Sequence, residues 1–155
     1  MPALLEVEGL SKSFSGLRAA QDLTFSVGER EIVALIGPNG AGKTTCFNLV
    51  AGVYRPDTGT VRLAGRRIDG RRPDQICRAG IGRTFQLVKP FSGLSVLDNV
   101  VVGALNARRT VTEAQRRAEE VLDLLGLFAK RARPAASLTL PERKRLEVAR
   151  ALATE

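Results

Sequence analysis

The run Gly37-Pro38-Asn39-Gly40-Ala41-Gly42-Lys43-Thr44-Thr45 sets three glycines ahead of a lysine and two threonines. It fits the phosphate-loop pattern G-x-x-x-x-G-K-[ST] at Gly37, Gly42, Lys43 and Thr44. By residue frequencies, a chain of this size matches that pattern by chance about 1% of the time. An ordinary Gly-rich strand-to-helix turn explains neither Lys43 nor Thr44. Working outward, Glu31-Ile32-Val33-Ala34-Leu35-Ile36 precedes the loop and ends in five apolar residues. Such a run predicts a strand buried on both faces. After the loop, Thr44 to Ala51 predicts a helix with Phe47 and Val50 on one face.

The residue types suit polyphosphate. Small residues let backbone N–H groups turn inward around anionic oxygens, and the three glycines permit the close approach. A helix starting near Gly42 points its positive end at the anion. Lys43 is placed to reach the β- and γ-phosphates, and the Thr44 hydroxyl to ligate Mg²⁺.

Composition narrows the rest. The chain has 155 residues, 44% of them hydrophobic, enough for one domain with a real core. No apolar run approaches the ~18 residues of a membrane span, and the first residues carry no basic, apolar secretory pattern. Cys46 and Cys77 lack metal-like or C-x-x-C spacing, so reduced thiols are expected. The absence of histidine excludes His-based catalysis and His metal sites. The net charge of +8 is densest from Arg62 to Arg83. Tyr54 and Phe85 flank that run rather than interleave it, so a solvated or membrane-facing basic surface is expected and direct nucleic-acid binding is not.

Along the chain, Leu5–Glu8, Leu23–Val27 and Thr60–Leu63 read as strands. Ile68 reads as part of a short partner strand, and Ile81–Phe85 as a further strand. Phe14–Leu17 and Arg55–Gly59 read as turns. Pro73 to Ala79 predicts a short helix stopped by Gly80. The pattern then becomes helical. Ser95 caps a helix running to about Ala107. Thr110 and Glu113 form a capping box before a stripe of Val111, Ala114, Ala118, Val121, Leu122 and Leu125. Thr139 and Glu142 form another, opening a helix from Leu140 to about Thr154 with Leu146, Ala149, Leu152 and Ala153 on its apolar side.

This layout, with its motifs in order, resembles the nucleotide-binding subunits of ATP-binding-cassette (ABC) transporters over all 155 residues. The branched-chain amino acid importers are nearest in pattern, through Gly80-Ile81-Gly82-Arg83-Thr84-Phe85-Gln86 and Pro90 to Val100. The resemblance implies an α/β fold: a P-loop ATPase core with an antiparallel β subdomain and a helical subdomain. It implies a nucleotide-binding core over 1–86, a helical subdomain over 87–136 and a signature-motif helix over 137–155. It implies ATP and Mg²⁺ as ligands. Phe14 would stack on adenine, Gly37 to Thr45 (Gly37, Pro38, Asn39, Gly40, Ala41, Gly42, Lys43, Thr44, Thr45) would hold the phosphates, and Gln86 would touch Mg²⁺ and the attacking water. Lys43 and Gln86 would be the catalytic residues, and Thr44 and Gln86 the metal contacts. Partners would be membrane-spanning permease subunits and a second nucleotide-binding subunit, at the inner face of the cell membrane.

Two departures stand out. The family signature Leu-Ser-Gly-Gly-Gln reads Leu138-Thr139-Leu140-Pro141-Glu142 here. Thr139 and Glu142 are then the residues that would act across a dimer, or else only cap their own helix. The helix that follows, Arg143 to Leu152, matches the family closely. In addition, the family's later strand ending in Asp-Glu, which supplies a metal ligand and the general base, does not occur in these 155 residues. The sequence therefore reads as about the first 60% of such a subunit, with little or no ATP hydrolysis expected from it alone. Other readings are an importer ATPase for another solute such as urea or an amide, and a regulatory module that holds nucleotide without turnover. A P-loop kinase or GTPase lacks support, since the sequence has no Asn-Lys-x-Asp guanine motif and the signature-like helix argues against that class.

Overall fold

The computed structural model of the chain describes residues 3–85 and 90–155. These divide into two compact units, Met1–Ala79 and Gly80–Glu155.

The first unit is built on a four-stranded antiparallel sheet in the order β2-β1-β3-β4. Strands β1 (Ala3–Phe14) and β2 (Leu17–Gly28) form a long hairpin. Phe14 pairs with Leu17, so Ser15 and Gly16 make the whole turn, both at positive φ (46° and 86°). That is the turn whose twist suits antiparallel strands. Both strands outrun the expected segments because irregular register shifts absorb the polar stretch around Gly9 to Ser13. Strand β3 (Thr58–Leu63) pairs with β1, and β4 is the two residues Arg66–Arg67. Ile68 lies just beyond β4, buried, its N–H donating to the Val61 carbonyl at 2.8 Å. Helix α1 (Lys43–Val50) and the short α2 (Pro73–Arg78) complete the unit. Its buried apolar side chains include Val7, Leu10, Cys46, Leu49, Val61, Ile68 and Ile76.

Two expectations fail here. Glu31–Ile36 is in no strand and pairs with none of β1–β4. Ile32 is 97% exposed and Ile36 is 90% exposed. A segment apolar on both faces needs a neighbouring strand and a covering layer on each side; the described residues supply neither. The buried face of α1 is Cys46 and Leu49, with Phe47 58% exposed. The expected face of Phe47 and Val50 is therefore not the buried one; packing selects Cys46 and Leu49 instead. We expect Ile36→Ser to leave unfolding free energy within about 0.5 kcal/mol of the parent chain, whereas Leu49→Ala costs about 2–5 kcal/mol. Urea unfolding measures both; a large cost at Ile36 overturns the assignment.

The second unit is helical: α3 (Val96–Ala104), α4 (Val111–Leu124) and α5 (Leu140–Leu152). One core holds all three, with Val96, Val100, Ala104, Ala114, Ala118, Val121, Leu122, Leu146 and Ala149 buried together. Each start is set by local chemistry. The Ser95 hydroxyl accepts from the Asp98 N–H at 3.0 Å, and Thr110 and Glu113 form the expected capping box. Helix α3 stops three residues short of Ala107. Val111, at the head of the predicted stripe, is exposed, because the first turn of α4 overhangs the core. Ile81–Phe85 forms no strand.

A candidate phosphate-binding loop and a capped basic helix

Helix α1 differs from α3, α4 and α5 at its start. Those three each have a Ser or Thr N-cap and an acidic residue in the first turn. Helix α1 has neither: its N-cap is Gly42, no side chain caps it, and its first turn carries no acid. Its leading N–H groups therefore have no side-chain acceptor, and no carboxylate competes for the positive end of the helix. That is the electrostatic requirement of an oxyanion site.

The loop before it is built to leave those groups accessible. The Ala41 N–H bonds the Pro38 carbonyl at 3.2 Å, closing a turn. Gly42 sits at φ 82°, and a Cβ there would lie 2.1 Å from the Ala19 carbonyl oxygen of β2. The backbone of β2 is thus pressed against the loop, and only glycine fits. Lys43 bridges back across the loop, its Nζ donating to the Gly37 and Pro38 carbonyls at 2.6 Å each. These bonds hold a positive charge over the loop. Among the described residues, no hydrogen bond engages the hydroxyls of Thr44 or Thr45 or the Asn39 side chain, and Thr44 is exposed. On α1, burial pushes the Cys46 thiol above its ordinary value.

Phe14 lies at the end of β1, 38% exposed. Tyr54 meets it edge-on, ring centroids 5.0 Å apart, and the Lys12 ammonium lies 5.6 Å from its centroid. The ring is therefore both supported and partly open. The pairing with Tyr54 could not be read from sequence, since 40 residues separate the two.

In the helical unit, Thr139 caps α5 and Glu142 answers it, the Glu142 carboxylate accepting from the Thr139 N–H at 2.9 Å. Lys130 also donates to that carboxylate. Both predicted signature side chains thus serve the start of their own helix, and Lys130 is a partner that sequence reading missed. The Lys130 ammonium, then the Thr139 groups, hold the Glu142 carboxyl down to about 2 from an ordinary 4.5. A folded-state value below the unfolded one gives stability that is complete above pH 4.5 and is lost as pH falls through about 2. Glu142→Gln should therefore melt below the parent chain at neutral pH, with the gap closing across that window. Circular dichroism melts at stepped pH measure it; a gap that persists unchanged down to pH about 2 contradicts the assignment.

Gln86 lies outside the described residues, but both of its flanks are anchored on α5. A Cβ at Gly82 would sit 2.9 Å from the Ala151 carbonyl. On the other side the Arg150 guanidinium stacks 4.5 Å from the Phe91 ring centroid. Asn99, fully buried on α3, accepts from the Phe91 N–H at 2.8 Å and donates to its carbonyl at 3.0 Å. A buried amide pinning a loop backbone is a structural role that an Asp-Asn pair inside an apolar helix hints at.

The described residues contain no group of three or more His, Cys, Asp or Glu side chains able to hold a metal, and no helix long and apolar enough to cross a membrane.

A sequence model of the family described as ABC transporter matches residues 20–155. The high-affinity branched-chain amino acid transport ATP-binding protein LivG of Salmonella typhimurium is 41% identical, over 98% of this chain and 66% of its own length. The lipopolysaccharide export system ATP-binding protein LptB of Acidithiobacillus ferridurans is 38% identical, over 99% and 64%. The chain thus spans just under two thirds of the length of the curated relatives it matches. Among solved structures, MJ1267, an ATP-binding cassette of an ABC transporter, matches with TM-score 0.88 at 29% identity, covering 99% of this chain and 66% of the other. Its ADP conformation matches with TM-score 0.87 at 28% identity, with the same coverage.

Proposed function

The chain belongs to the ABC transporter family, and from that premise we propose that it is the ATP-binding portion of an importer's nucleotide-binding subunit, acting for branched-chain amino acids. The observation that carries the reading is the uncapped, acid-free start of α1 behind a loop that holds the Lys43 ammonium over it. The solute class is supported by the likeness to LivG, whose name gives branched-chain amino acid transport.

Each residue has a task in this reading. The N–H groups at the start of α1 and along Gly37 to Gly42 bind the phosphate chain. Lys43 trades part of its bonding to Gly37 and Pro38 for phosphate oxygens. Thr44, the open hydroxyl, helps hold Mg²⁺, which shields the phosphate charge when bound. The donor set fits, since every group offered to the anion is an N–H, an ammonium or a hydroxyl. Phe14 stacks on the adenine ring with Tyr54 bracing its edge. Gln86, between flanks anchored on α5, orients water and metal. Thr139 and Glu142 present the positive start of α5 to a second nucleotide-binding subunit, with the Thr139 hydroxyl shared between that task and its cap. Permease subunits in the cell membrane are the further partners, placing the chain at the inner face.

The solute is tested by uptake. Deleting the gene that carries this sequence should reduce uptake of labelled leucine, isoleucine and valine to background, and restoring it should recover the uptake. The likeness to LptB favours a second reading, an export ATPase. Normal amino acid uptake with a lipopolysaccharide export defect would select it.

A further inference from the structure

The six arginines from Arg62 to Arg78 divide into two kinds. Arg62, Arg67 and Arg72 are ion-paired, with Glu8, Asp69 and Asp74 respectively. The Arg67 and Arg72 pairs are two-pronged, at 2.9 to 3.0 Å. Arg66, Arg71 and Arg78 have no ion pair or side-chain hydrogen bond among the described residues, and these three line one open cleft of about 540 Å³. The cleft lies in the first unit, between the β3–β4 turn and α2. Leu63 and Ile68 give it apolar walls, and no carboxylate lines it. Gln75 also lines it. The Gln75 side-chain Oε1 accepts from the Arg72 N–H at 3.1 Å, which leaves its NH₂ group to the cleft.

The acids of this segment are therefore spent on the arginines outside the cleft. What remains around the cleft is a set of donors, three of them like charges without an ion pair, of which Arg78 is also drawn to the Asp74 carboxylate from beyond contact distance. Guanidinium groups match the oxygens of phosphate in planar, two-pronged geometry. We propose that this cleft binds a phosphate-bearing ligand, separately from the Gly37–Thr45 loop. The apolar walls suit an organic phosphate, either a free metabolite or the headgroup of an anionic lipid.

The test uses the 155-residue chain carrying Lys43→Ala, so that the loop contributes as little as possible. One probe is glycerol 3-phosphate, titrated by calorimetry. The other is co-sedimentation with phosphatidylcholine vesicles, with and without phosphatidylglycerol. Two triple variants are compared: Arg66→Gln with Arg71→Gln and Arg78→Gln in the cleft, and Arg62→Gln with Arg67→Gln and Arg72→Gln outside it. Both remove the same charge. The cleft variant should weaken binding at least about tenfold and the control by less than about twofold. Circular dichroism should be unchanged in the cleft variant, because the three side chains are exposed and make no ion pair or side-chain hydrogen bond among the described residues. Binding of the soluble probe alone identifies a free phosphate as the source; binding confined to the phosphatidylglycerol vesicles identifies the headgroup. Equal loss in both variants reduces the effect to net charge and overturns the proposal, as does binding of neither probe.

Discussion

Lys43→Ala should weaken Mg-ATP binding by about 100-fold or more, with stability changed by no more than about 0.5 kcal/mol. The reasoning starts from the two bonds that Lys43 makes now, to the Gly37 and Pro38 carbonyls. Both carbonyls belong to exposed loop residues, so water can replace the ammonium when it is removed. The cost falls on the ligand. Charge-assisted bonds to phosphate oxygens are worth about 1.5–3 kcal/mol each, and about 1.4 kcal/mol is tenfold in affinity. Losing one or two of them accounts for the expected drop. Calorimetric titration with ATP and Mg²⁺ gives the number, and thermal melts give the stability. An isotherm indistinguishable from the parent's rejects the loop as the nucleotide site. A loss of both binding and stability would show that Lys43 is structural.

Gly42→Ala should be the most disruptive single-methyl change near the site, costing about 3 kcal/mol or more and lowering the melting temperature by about 10 °C. Two penalties combine. The left-handed conformation at φ 82° costs a non-glycine residue about 1–2 kcal/mol. The added Cβ would also fall 2.1 Å from the Ala19 carbonyl oxygen, a backbone atom that can move only if β2 moves. Gly40→Ala separates the two. Gly40 has nearly the same φ, 84°, but nothing lies within 4 Å of its added methyl, so only the conformational cost of about 1–2 kcal/mol applies. Denaturant unfolding of the pair measures the difference. Equal costs at both positions would mean that β2 does not brace the loop. Nucleotide affinity should fall in Gly42→Ala even where the protein remains folded, because the start of α1 is displaced from its backing strand.

How much of this was legible in the sequence depends on the range of the interaction involved. The start of each long helix in the second unit was readable from three or four residues: Ser95 with Asp98, Thr110 with Glu113, Thr139 with Glu142. Capping is settled within a single turn, so no distant residue has a vote. The loop was readable for the same reason. Burial was less so. Val111, Phe47 and the whole of Ile32–Ile36 look like core by pattern, yet are exposed in the structure. Hydrophobic periodicity marks which residues can be buried, while actual burial needs a surface opposite, and that surface comes from elsewhere in the chain. Ile32 and Ile36 have none among the described residues. The Lys130–Glu142 pair, the bracing of Phe14 by Tyr54 and the backing of Gly42 by Ala19 were hidden for a related reason, since each joins residues well apart in the chain.

Local sequence thus sets a phosphate-loop motif at the start of one helix and three helices with their own caps in the second half. Backbone chemistry within a turn is enough for that. Packing in three dimensions decided that β2 makes glycine obligatory at position 42, and that the Arg62–Arg83 run is partly neutralised and partly gathered around one cleft. Those outcomes depend on which distant groups arrive within a few ångströms, and distance in space is what a linear sequence does not carry.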